Sequence, residues 1–159
     1  PILYQKGIGF QPFQLNMDAF LVVADTGIKG QTRKAVKDIA KLMEMRPYET
    51  NKQMRTLGKL TAQAQKAILQ NRPQILGDCM NQAQGLLRLL GTSNRHLDHL
   101  IETALDNHAL GAKLTGGGRG GCMIALAEDE TSGRQLQQIL LDAGARNTWI
   151  EGLGVYAHV

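Results

Sequence analysis

The segment Lys113-Leu114-Thr115-Gly116-Gly117-Gly118-Arg119-Gly120-Gly121-Cys122 places five glycines within six positions. Its flanks restrict what it can be. Ala112 to Thr115 reads as a short strand before it, and Cys122 to Ala127 (CMIALA) as a buried strand after it. A glycine loop between two strands is a β-hairpin. The run matches the spacing G-x-G-x-x-G at Gly116, Gly118 and Gly121. That dinucleotide fingerprint, however, needs a helix after the loop, so that pyrophosphate sits on a helix N-terminus. It is not a P-loop either, because no Lys-Ser/Thr follows the last glycine. What remains is a concave turn offering unhindered backbone N–H groups, which is the chemistry of an anion nest. Thr115 adds a hydroxyl and Arg119 a cation. The plainer reading is a hairpin that needs glycine only to turn.

Around this loop the pattern predicts a strand, four helices, the hairpin, a helix and further strands. Ala19 to Ala24 (AFLVVA) is a compact run of β formers ending at Asp25-Thr26-Gly27. Helices are predicted over Thr32–Met45, Tyr48–Gln70, from Pro73 to about Leu90, and after the capping run Thr92-Ser93-Asn94. Their apolar residues recur at helical spacing: Val36, Ile39, Ala40 and Met43 in the first, for example, and Leu97, Leu100, Ile101 and Ala104 in the fourth. Each is therefore expected to pack on one side. Thr131 or Ser132 is expected to cap a fifth helix that stops at Gly144. Strands are expected over Thr148–Glu151 and Val155–Val159. Residues 1–16 read as short strands or a loose arm. This order implies an α+β domain, an antiparallel sheet with helices on one face.

Charge is uneven. Between Lys29 and Lys66 stand ten basic residues against Asp38, Glu44 and Glu49, a local charge of +7. Such a field favours anionic partners, phosphorylated metabolites or nucleic acid, although a solvated helix face gives the same pattern. With 4% aromatic residues, platforms for stacking bases are scarce, which argues against nucleic acid. Two widely spaced cysteines, Cys79 and Cys122, form no disulfide framework and read as reduced and cytoplasmic. No stretch approaches the ~18 apolar residues of a membrane span. The chain begins with Pro1, which reads as a piece of a longer protein. His96 and His99 lie one helical turn apart, but no further ligand has diagnostic spacing, so no metal site is expected. Cys122, opening a buried strand, reads as packing rather than as a reactive thiol.

The run KLTGGGRGGC resembles the third conserved motif of the GHMP kinase superfamily. In the mevalonate kinase branch that motif has the pattern K-[LM]-[ST]-G-[AG]-G-x-G-G-C, and Lys113 to Cys122 fit it. The segment Asp25-Thr26-Gly27-Ile28-Lys29-Gly30-Gln31-Thr32-Arg33 is similar to the family's stretch after the first strand of its C-terminal domain. Met80-Asn81-Gln82 and Leu89-Leu90-Gly91 are similar to its long helix and turn. The resemblance implies a ferredoxin-like C-terminal domain over residues 19–159, with residues 1–18 an arm belonging to the interface with an N-terminal domain. It implies an ATP- and Mg2+-dependent kinase acting on the 5-hydroxyl of mevalonate. No catalytic residue is expected in this chain, because the family's Pro-x3-Gly-Leu-Gly-Ser-Ser loop, Asp and Lys belong to the N-terminal domain. Thr115, Gly116, Gly117, Gly118, Arg119, Gly120 and Gly121 are implied to support the nucleotide phosphates, and Thr32 to face the substrate. Arg119 departs from the glycine or small residue common there and is expected to face solvent in the isolated domain. Partners implied are the N-terminal domain, ATP and mevalonate, with neither nucleic acid nor membrane, and a homodimer is allowed. Two alternatives stand beside this reading. One is another kinase of the superfamily, such as phosphomevalonate kinase. The other is a non-catalytic ferredoxin-like module binding anions or RNA.

Overall fold

The computed structural model describes residues 2–154; the strand expected over Val155–Val159 lies outside them. In chain order the elements are β1 (Ile2–Gln5), β2 (Gly9–Pro12), β3 (Phe20–Asp25), α1 (Thr32–Met45), α2 (Pro47–Leu69), α3 (Pro73–Leu89), α4 (Arg95–Asp106), β4 (Gly111–Leu114), β5 (Cys122–Ala127), α5 (Glu130–Asp142) and β6 (Asn147–Gly152). The antiparallel α+β reading holds. Four strands form one sheet in the order β4-β5-β3-β6, and every pairing is antiparallel. A separate hairpin joins β1 to β2.

Strand alternation divides the core. Phe20, Val22 and Ala24 of β3 and Met123, Ala125 and Ala127 of β5 point to one face. There they meet Leu97, Leu100, Ile101 and Ala104 of α4 and Leu136 and Leu140 of α5. Each of these helices has a side-chain cap. Asn94 accepts the Leu97 N–H. Asp129 accepts the Ser132 N–H at 2.7 Å, while the Ser132 hydroxyl accepts the Asp129 N–H. The α5 cap is thus Asp129, not Thr131 or Ser132. Ser132 is the third helical residue of a reciprocal capping box, a role its hydroxyl fills as readily as the cap itself.

The other face, expected to be free of helices, is covered in part by α2 and α3, so the helices do not gather on one face. Leu126, with half-buried Leu21 and Ile124, packs against Ala67, Leu76 and Met80. Met17, near the end of the 1–18 arm, is buried in this cluster with Ala19. Helix α3 runs along the outer edge of β4. Gly77 and Gly111 touch backbone to backbone, and a Cβ on either would collide with the other segment. The contact brings two amides of α3 onto the strand edge. Asn81 Oδ1 accepts the Ala112 N–H at 3.0 Å, and Gln84 Oε1 accepts the Leu114 N–H at 2.9 Å. An edge that would otherwise offer free N–H groups to another strand is closed by side chains.

Helix α1 departs from expectation. Its stripe does not pack on one side: Ala35 is its one buried residue, and Val36 is 62% exposed. Amphipathic spacing establishes that a helix has an apolar face, not that this chain supplies a cover for it. The β1–β2 hairpin is likewise open, with Ile2, Tyr4, Ile8 and Phe10 exposed. No described helix is long and apolar enough to cross a membrane.

Candidate functional site

Pairing Asp25 with Cys122 brings the end of β3 and the start of β5 to the same end of the sheet. The β3–α1 connection and the glycine loop therefore lie side by side. Thr26 donates both its N–H (2.9 Å) and its hydroxyl (2.8 Å) to the Gly121 carbonyl, and Gly121 returns its N–H to Ile28 O at 2.7 Å. The turn into this segment is held by Asp25 Oδ1, which accepts the Gly27 N–H. Farther along, Gln31 donates its N–H to Gly118 O at 3.3 Å. A third segment closes the other side: Thr92, after α3, accepts the Arg119 N–H at 2.8 Å.

This packing explains the glycine density better than turning alone. A Cβ on Gly118 would strike Thr92 O, and one on Gly117 would strike Thr32. One on Gly120 would come within 2.7 Å of Ile28 O. Gly116 and Gly121 differ, because a Cβ there meets nothing within 4 Å, although both have φ +73°. The middle of the loop is built for close packing and its entrance faces open space.

Of the loop amides, those of Arg119 and Gly121 are committed to Thr92 and Ile28. Those of Gly116, Gly117, Gly118 and Gly120 have no backbone acceptor among the described residues. Thr115 donates its N–H to Cys122 O at 3.0 Å and closes the hairpin. Thr32, expected beside the substrate, abuts Gly117 as the first residue of α1. The residue before it, Gln31, makes no side-chain cap, and the first turn of α1 holds no carboxylate. The helix thus presents its positive end and uncapped N–H groups next to the loop. Lys29, Arg33, Lys34 and Lys37 line an open hollow with Gly30, Gln31 and Thr32. Uncommitted amides, a hydroxyl, a helix N-terminus and basic side chains gather at one place, an arrangement that attracts and orients an anion.

Arg119 does not face solvent. Its side chain is 19% exposed; Nη1 lies 2.6 Å from Asp38 Oδ2 in α1, and Nε donates to Gly91 O at 2.9 Å. The hydrogen bond from Arg119, aided by the fields of Lys34 and Lys41, holds the Asp38 carboxyl below its ordinary range. Sequence reasoning missed Asp38 and Thr92 as partners. The available signal for the first was a carboxylate set among Arg33, Lys34, Lys37 and Lys41 of α1 together with an arginine inside a glycine loop. Cys122 is half-buried, and burial, with Asp25 nearby, pushes its thiol up, away from reactivity. His96 and His99 line a cleft between α4 and the end of α5 with Arg95, Asp98 and Glu102, and the cleft reaches Thr26, the residue that bonds Gly121 of the glycine loop.

Comparison with known proteins shows the family to which the chain is similar. Residues 64–146 match the family model described as GHMP kinases C terminal. The mevalonate kinase of Thermococcus gammatolerans is 37% identical over 136 residues, which covers 82% of this chain and 40% of that protein. The crystal structure of L. major mevalonate kinase in complex with R-mevalonate superposes with a TM-score of 0.88 at 32% identity, covering 94% of this chain and 47% of that one. Streptococcus pneumoniae phosphomevalonate kinase, in complex with phosphomevalonate and AMPPNP, shares the fold with a TM-score of 0.79 at 20% identity. The chain therefore spans less than half the length of these relatives.

Proposed function

The chain belongs to the GHMP kinases, corresponding to the C-terminal domain of that family, and on that premise we propose that it is the C-terminal part of a mevalonate kinase. The longer enzyme transfers the γ-phosphate of ATP to the 5-hydroxyl of mevalonate, and this domain forms one wall of the cleft. The observation that carries the reading is the juxtaposition of the uncommitted amides of the glycine loop with Thr32 at the start of α1. The identity to mevalonate kinases favours that acceptor over phosphomevalonate, whose kinase is similar in fold alone.

Phosphoryl transfer depends on positioning and on neutralising charge over the phosphate oxygens. The amides of Gly116, Gly117, Gly118 and Gly120 are fixed dipoles that need no reorganisation as charge shifts, the condition for electrostatic stabilisation of a transition state. The Thr32 hydroxyl donates to an oxygen on the substrate side. The basic residues at the start of α1 raise the local concentration of anionic substrates. Magnesium, which ATP brings in such enzymes, finds no ligand set here. Among the described residues no three metal-binding side chains gather, and Asp25 and Asp38 beside the loop are engaged by Gly27 and Arg119. Catalytic carboxylate and lysine belong, on this reading, to the remainder of the enzyme.

ADP release from the longer enzyme, measured with mevalonate and with phosphomevalonate as acceptors, tests the proposal. Turnover with mevalonate and background with phosphomevalonate is the expected result, and this chain by itself should stay at background with both. Turnover with phosphomevalonate alone, or mevalonate-dependent turnover by the 159-residue chain, would overturn it.

A further inference from the structure

We propose that Arg119 is a positioning residue: through Asp38 it braces α1 against the glycine loop and so sets where Thr32 stands relative to the loop's uncommitted amides. The inference rests on the phosphoryl-transfer reading of that loop. Three contacts fix the arginine: its own N–H to Thr92 O, Nε to Gly91 O and Nη1 to Asp38. Its backbone is held at φ +56°. The planar fork of a guanidinium can satisfy a carbonyl and a carboxylate at once, which an ammonium cannot do with the same geometry. Because the charge is neutralised by Asp38, the side chain is unavailable as a phosphate clamp.

Helix α1 needs such a brace. Ala35 is its one buried residue, so the hydrophobic packing that orients most helices is nearly absent here. Its start is attached to the loop by the Gln31–Gly118 hydrogen bond, at 3.3 Å, and by the seat of Thr32 on Gly117. These contacts lie within one turn and act as a pivot. Asp38 stands six residues beyond Thr32, about 9 Å along the axis. An anchor at that separation ties the middle of the helix to the loop, whereas its far end is tied to α2, where the Thr50 hydroxyl donates to Leu42 O at 3.1 Å. The same guanidinium ties the loop to Gly91 at the end of α3, so three segments share one side chain.

The test pairs Arg119→Gly, which removes the side chain and relieves the positive φ, with Asp38→Asn and the double variant. Hydrogen exchange on this chain should show the α1 amides around Ala35 to Ile39 opening about two- to fivefold more often in each single variant, the range of a partly exposed ion pair. The double variant should be no faster than either single one. In the longer enzyme, kcat/KM for the acceptor should fall by a similar about two- to fivefold factor without a lower melting temperature for Arg119→Gly. Arg119→Lys, which keeps charge but loses the fork, should not restore it fully. Unchanged exchange in both single variants would refute the brace. Faster exchange with unchanged kinetics would reduce it to a structural contact and overturn the positioning role. A wild-type enzyme without kinase turnover would remove the functional reading, while the exchange result would still decide whether the contact holds α1.

Discussion

A side chain at Gly118 meets Thr92 O, whereas one at Gly116 meets open space, so these neighbouring glycines test different properties. Gly118→Ala combines a backbone collision with φ +74° and should cost about 3 kcal/mol, lowering the melting temperature by about 10 °C. Loss of activity in that variant would say nothing about phosphate. Gly116→Asn is the informative change. Asparagine tolerates the left-handed region, so the melt should move little while the added side chain occupies the mouth of the loop. Titration of the longer enzyme with ATP should show weaker binding for Gly116→Asn, and unaltered affinity would leave the loop a packing device. Lys113 offers a second test at this scale. It lies with Leu57, Leu60, Cys79 and Met80 around a cavity between α2, α3 and β4, and burial pushes its ammonium below the ordinary lysine range. Where the folded pKa is lowered, the unfolded chain binds more protons, so stability rises with pH between the lowered value and the usual 10.5. Lys113→Met should therefore raise the melting temperature at pH 7, with the advantage shrinking as pH approaches 10.5. An advantage independent of pH would show that shape, not charge, is responsible.

Among the elements, α3 carries the clearest conflict between local and tertiary preference. Gly77 lies inside the helix, where alanine would be favoured by about 1 kcal/mol. The Cβ would run into Leu110 O, and overpacking of that kind costs about 1–3 kcal/mol or more. It would also pull Asn81 and Gln84 away from the β4 amides, leaving the buried Leu114 N–H without its acceptor, a further loss of about 1–3 kcal/mol. The tertiary terms win, and Gly77→Ala should lower the urea midpoint despite its better helix propensity. An unchanged or higher midpoint would mean that α3 shifts outward at no cost. Helix α4 has no such conflict, since its Asn94 cap and buried stripe agree.

Over the whole molecule, order should follow burial. Phe10 of the β1–β2 hairpin is 74% exposed, and its ring rests against Tyr4 at 5.0 Å rather than on the core. A two-stranded hairpin without a buried face is marginal in water. Hydrogen exchange on this chain should find the hairpin amides opening freely while those of Val22 and Ala24 open only on global unfolding. Equal protection in a strict monomer would contradict this. Much of the fold was legible in the chain itself. The span of α1, the strand CMIALA, the glycine hairpin and the α+β order follow from local periodicity and turn chemistry, which act over a few residues. The glycine density likewise marked the candidate site. Local pattern could not reveal the partners. Arg119 meets Asp38 across 81 residues of sequence, Gln84 meets Leu114 across 30, and Thr32 settles on Gly117. Periodicity establishes that α1 has an apolar stripe, but not that the stripe lies open. Residue types and their spacing determined which elements form and which family they resemble. Only the tertiary structure decided which loop amides stay free and where the arginine's charge is spent, because strand register and helix docking choose neighbours far apart in the chain.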